Sequence, residues 1–181
     1  IDLRPEWYIG AFGLFLRLYL RALVEKRGAG ADLLPDFEAL IKAVFFDLDN
    51  TLTDFMRMKE LAVESAIHGM VDAGLAMKPK EARDKIYAIY DREGIEFQQV
   101  FDHFLTAELG EINYKILAAA IVGYRRVRDS ALVLYPHVQL TLVDLTRRGL
   151  RLAVVTDAPK ASAWLRLCYL NLHHNFDLVI T

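Results

Sequence analysis

Val44-Phe45-Phe46-Asp47-Leu48-Asp49-Asn50-Thr51-Leu52-Thr53 decides the fold. The β-branched and aromatic run that begins at Ala43 and ends at Phe46 predicts a buried strand. Three acids, Asp47, Asp49 and Asp54, follow it. In an open α/β sheet, ligands bind beyond the carboxyl ends of the strands. Two carboxylates two residues apart at that point can converge on one cation and one substrate. Asp54 is read as a cap for the helix that follows, since a short acidic side chain can accept from a free helical N–H.

Downstream the α/β pattern returns. Pro136 is expected to open a helix at its first position, and Gly149 to end it. Leu150 to Val155 predicts a second strand, which runs into Thr156-Asp157-Ala158-Pro159-Lys160. Pro159 opens a helix through Leu165 and Leu167, and Phe176 to Ile180 predicts a third strand. Strand–helix–strand spacing of this kind implies parallel pairing.

Residues 55–134 carry helical signals instead. Met56 to Ala73 stops at Gly74, Pro79 opens a helix closed by Gly94, Ile95 to Leu109 stops at Gly110, and Ile112 to Val127 forms the last. Phe97, Phe101 and Phe104 are read as core of this bundle. The expected fold class is therefore α/β. A Rossmann-like parallel sheet (41–54 and 135–181) holds an inserted helical domain (55–134), and an apolar N-terminal helix with its linker (1–40) precedes both.

That first helix centres on Glu6 to Lys26 and is apolar on most of its surface, so it is expected to pack on its own domain or on a partner chain. Its uncharged run, Trp7 to Leu16, is shorter than the roughly 20 residues a bilayer span needs. It also lacks the Lys-rich polar face that interfacial helices prefer, so an interfacial membrane enzyme is the weakest of the readings, behind packing on protein. Gly28-Ala29-Gly30 forms a flexible link.

Composition narrows the function classes. The chain has 181 residues, 54% of them hydrophobic, enough for a sizeable core. A net charge of −2 gives no basic footprint for nucleic acid. The single cysteine, Cys168, excludes an internal disulfide framework and fits a reducing, cytoplasmic compartment. It is read as a small buried apolar residue.

The motif Val44 to Thr53 resembles the first motif of the haloacid dehalogenase-like hydrolase superfamily. Leu152-Ala153-Val154-Val155-Thr156-Asp157 is similar to its second motif, and residues 55–134 sit where that family places a helical cap. The resemblance implies a phosphatase that acts on a small phosphorylated metabolite with Mg²⁺. It implies Asp47 as nucleophile and Asp49 as general acid and base. Both would be metal ligands, Asp49 through its backbone carbonyl. Thr156 and backbone amides near Leu48 and Asp157 would hold the phosphoryl oxygens. Family dehalogenases lack the second aspartate, so Asp49 favours phosphoryl chemistry. The family also carries a lysine and a Gly-Asp pair beyond the strand that here ends at Ile180, so a further C-terminal stretch is expected. Lys160, read as a solvated lysine, is the candidate stand-in for that cation. The competing expectation is a non-catalytic interaction module that keeps the fold and docks a partner, or a second copy, through residues 7–23.

Overall fold

A computed structural model describes residues 42–181. The expected N-terminal helix lies outside the described residues. Ala43–Thr181 forms one compact unit. Its elements are β1 (Ala43–Phe46), α1 (Phe55–Asp72), α2 (Pro79–Glu93), α3 (Val100–Leu109), α4 (Tyr114–Ala131), α5 (Val138–Arg147), β2 (Arg151–Val155), α6 (Lys160–Tyr169) and β3 (Leu178–Ile180).

The sheet has the order β1-β2-β3 and every pairing is parallel. Phe46 pairs with Val154 and Val155 with Ile180, so the carboxyl ends of the strands lie at one edge. Asp47 and Thr156 are the next residues out. The apolar faces of β1, β2, α5 and α6 close on Leu48, Leu142, Leu152, Val154 and Leu167. Phe176 lies outside β3, and its ring meets Phe46 edge-on at 6.2 Å.

The helical segment has its own core, centred on Phe104, Met70, Ile86, Leu105 and Ile116. Phe101 and Phe104 are buried there, and Phe97 packs against it. α1 buries Phe55, Met58, Lys59, Ala62, Val63, Ala66, Ile67 and Met70, the three- and four-residue spacing of one helical face. Asp54 caps it by accepting from the Arg57 N–H at 3.2 Å.

The structure departs from the sequence reading in several places, among them two helix starts and one burial. α3 begins at Val100, not Ile95, because Gly94 (φ 93°) turns the chain and Phe97 N–H bonds back to Gly94 O at 3.1 Å. Pro136 does not open α5, since His137 adopts a left-handed φ of 68° before the helix starts at Val138. Cys168 is exposed, on the outer side of α6 with Leu165 and Tyr169.

α1 and α4 cross at glycines. A Cβ on Gly123 would sit 2.6 Å from the Ser65 carbonyl oxygen, and one on Gly69 would sit 2.7 Å from the Ala119 carbonyl oxygen. The Ser65 hydroxyl donates to Gly123 O at 3.0 Å. Alanine in a helix ordinarily gains about 1 kcal/mol over glycine. Overpacking against backbone costs about 1–3 kcal/mol and should outweigh that gain. Gly123→Ala is therefore expected to lower the melting temperature. A Tm at or above that of the wild type would show that the helices do not meet this closely.

Candidate active site

The loop after β1 is built to turn sharply. Leu48 is fully buried, so Asp47 and Asp49 on either side of it are turned away from the core. Leu52 N–H bonds Leu48 O at 3.0 Å, and Asn50 takes a left-handed φ of 57°, which asparagine tolerates. The Asn50 side chain accepts from Met56 N–H at 3.1 Å and ties the turn to α1. The two segments that join sheet and helices also pair with each other. Thr53 Oγ1 donates to Val133 O at 2.6 Å, and Tyr135 N–H bonds Leu52 O at 3.0 Å.

Asp47 accepts from the adjacent Leu48 N–H at 2.8 Å. Part of its side chain faces solvent, yet packing around the carboxyl raises its pKa. The Leu48 hydrogen bond opposes that rise, and the Asp157 charge adds to it. Asp49 is more enclosed. Burial pushes it up to about 6, against the pull of Arg166 and with help from Glu96, Asp47 and Asp157. These carboxylates therefore sense one another across the ends of β1 and β2.

Thr156 is buried. Its N–H completes the ladder to Ile180 O at 3.0 Å, and its Oγ1 accepts from Ala158 N–H at 3.2 Å. The hydroxyl proton is left to donate. Asp157 is exposed beside it.

Sequence reasoning missed the cation that reaches this loop. Lys160 is exposed at the start of α6. Arg166, further along the same helix, donates through Nη1 to Asp49 Oδ2 at 2.5 Å. Its Nη2 pairs with Glu96, on the turn before α3. The guanidinium carbon lies 4.3 Å from the Phe55 ring centroid. Arg166 shares the buried face of α6 with Ala163 and Leu167. A charged residue within an apolar helical stripe was the signal available in the sequence, and Lys59 on α1 carries the same one.

The donor set suits a hard cation. Asp49 Oδ1 is buried with no hydrogen-bond partner among the described residues. Asp47 and Asp157 add carboxylate charge nearby. Among the described residues no three acidic, histidine or cysteine side chains converge as a complete metal cage. Magnesium does not require one, because it keeps waters and takes one or two carboxylates plus substrate oxygens.

A parallel α/β sheet with two carboxylates and a buried threonine at its carboxyl edge, joined to a helical insertion, defines a class of ligand-binding α/β proteins. The chain belongs to the haloacid dehalogenase-like hydrolase family, whose model matches residues 41–181. It is 37% identical over 142 residues to a glyceraldehyde 3-phosphate phosphatase of Methanocaldococcus jannaschii, covering 78% of this chain and 62% of that one. It is 33% identical to the protein of the same name from Methanothermobacter thermautotrophicus, covering 78% of this chain and 63% of the relative. The chain thus spans less than two thirds of the length of these relatives. A Thermotoga maritima protein assigned as a beta-phosphoglucomutase shares the fold, with a TM-score of 0.56 at 23% identity over 76% of this chain and 60% of that one. Among the described residues no helix is long and apolar enough to cross a membrane.

Proposed function

We propose that the whole protein is a magnesium-dependent phosphatase for a small phosphate monoester, with glyceraldehyde 3-phosphate, named for its relatives, as the first substrate to test. The observation that carries this reading is the Asp47–Asp49 pair at the end of β1, with Asp49 raised to about 6. A carboxyl in that range can give and take a proton near neutral pH.

In this reading Asp47 Oδ attacks phosphorus, and the ester P–O bond breaks as an aspartyl-phosphate forms. Asp49 gives its proton to the departing alcohol oxygen. It then takes a proton from the water that attacks phosphorus, and inorganic phosphate leaves with Asp47 restored. Thr156 donates its hydroxyl proton to a phosphoryl oxygen. The amides of Leu48 and Asp157 face the same oxygens, and Leu48 N–H exchanges its bond to Asp47 for one to phosphate. Residues 55–134 serve as the cap over the site. The Asp47 carboxylate and the Asp49 backbone carbonyl are the residues that would hold Mg²⁺, which supplies charge neutralisation of the phosphoryl group.

The test is phosphate release from glyceraldehyde 3-phosphate by the full-length natural protein. EDTA is expected to abolish turnover and excess Mg²⁺ to restore it. Turnover indifferent to EDTA would overturn the metal assignment. No phosphate release at any Mg²⁺ concentration, from this or other small monoesters, would favour the interaction module.

A further inference from the structure

Lys59 is buried in an unusual way. It lies on the core stripe of α1 and is only 4% exposed. No carboxylate pairs with its Nζ among the described residues. The ammonium sits instead over two aromatic faces, 4.4 Å from the Tyr90 ring centroid and 5.3 Å from that of Tyr124. Burial pushes it down to about 8, with Glu96 opposing and Arg166 and Arg128 adding to the shift. A position that only had to pack would gain from an apolar side chain of the same length, since an unpaired buried charge costs stability.

Lys59 and the two rings beneath its ammonium line a cavity of about 270 Å³, together with Glu96, Ser162 and Arg166 among others. That volume lies just below the usual range of about 300–1,000 Å³ for drug-sized ligands and suits a chain of a few carbons. Arg166 is both a wall of this cavity and the partner of Asp49. Of the other cations lining the cavity, Arg166 is engaged by Asp49 and Glu96, Arg128 is partly exposed and pairs with Asp129 at 2.7 Å, and Arg125 is exposed to solvent. Lys59 has donors to spare.

We propose that this cavity receives the phosphate-free end of the substrate, and that the Lys59 ammonium binds a carbonyl or hydroxyl oxygen on it. The substrate class is thereby a short phosphate monoester whose carbon chain bears an oxygen acceptor. The inference rests on the phosphatase reading and assigns its selectivity to one residue of the helical segment.

The experiment compares glyceraldehyde 3-phosphate with propyl phosphate, which has the same carbon count and no acceptor, on the full-length natural protein. Lys59→Met is expected to lower kcat/KM for the oxygenated ester about 10–100-fold, mostly through KM, the loss of one charge-assisted hydrogen bond. The preference over propyl phosphate falls in step, and Lys59→Arg restores part of it. Binding of glyceraldehyde 3-phosphate to the Asp47→Asn protein, with and without Lys59→Met, gives the same comparison without turnover.

Folding is not the obstacle. A lysine with a depressed folded pKa loses stability as pH falls through about 8, and regains it toward the ordinary value of 10.5. Lys59→Met should therefore melt above the wild type at pH 7, with the gap closing as pH rises through that window. An unchanged ester preference and unchanged binding in Lys59→Met would overturn the proposal, whichever way Tm moves. If the wild type releases phosphate from neither ester and binds neither, the phosphatase reading fails instead.

Discussion

Asp47→Asn is expected to lower phosphate release by on the order of 10⁴-fold while leaving the protein at least as stable as the wild type. The size of the loss follows from the proposed role as nucleophile. An amide cannot form the acyl-phosphate, so the reaction must proceed without its covalent step. The stability half follows from the electrostatics. Packing around Asp47 and the Asp157 charge both raise its pKa above the ordinary 3.8. A carboxyl with a raised folded pKa contributes stability that is complete below 3.8 and lost as pH rises through the folded value. At pH 7 the ionised side chain is therefore a cost that asparagine removes. The asparagine oxygen can still accept the Leu48 N–H bond, made now at 2.8 Å. Phosphate release with Mg²⁺ present and thermal melting in metal-free buffer check the two halves separately. A variant that melts lower and loses activity in proportion would point to a structural aspartate. Residual activity within about tenfold of the wild type would exclude Asp47 as the nucleophile.

That such a test can be framed at one residue reflects what the sequence carries locally. The strands and the acidic loop are legible because their signals are short-range: Ala43 to Phe46 is apolar and branched, and Asp47 follows at once. Most helices are legible for the same reason, with Pro79, Gly74, Gly94 and Gly110 as punctuation. The exceptions also have local causes. His137 in a left-handed conformation separates Pro136 from α5, and the turn at Gly94 delays α3 until Val100. What no local pattern encodes is the meeting of Asp49, Glu96 and Arg166, which come from a strand end, a turn and a distant helix. Periodicity places Lys59 and Arg166 on buried faces without naming what they face there. The same holds for the α1–α4 crossing, where Gly69 and Gly123 gain their meaning only once the Ser65 and Ala119 carbonyls are known to lie against them.

Arg166→Met is expected to cost about 3 kcal/mol of stability, a fall in Tm of about 6–12 °C for a chain of this size. The side chain is 10% exposed and serves two acids, Asp49 at 14% and Glu96 at 25%. The net value of such a cluster is small, because desolvating the charges cancels most of their attraction. Removing one member differs, since two half-buried carboxylates then lose their common counter-ion. Methionine keeps the apolar contact with Phe55, 4.3 Å from the guanidinium carbon, so the loss reports charge more than volume. The deficit should depend on pH in a defined direction. Asp49 is already raised to about 6, and losing Arg166 raises it further. Below about 6 the carboxyl is protonated and needs no cation, so the variant approaches the wild type; above it the gap opens. Arg166→Lys should recover only part, because an ammonium cannot fork to two carboxylates in fixed directions. Adding Glu96→Gln to Arg166→Met should return some stability by discharging one orphaned acid, a coupling that a double-mutant cycle measures. Melting curves from pH 5 to 8 on the four proteins of that cycle, Glu96→Gln alone included, and on Arg166→Lys settle the matter. A Tm for Arg166→Met equal to that of the wild type across that range would mean that the bridge between Glu96 and Asp49 does not form in solution. The cavity beside Lys59 would then lose the wall that joins it to the acidic loop.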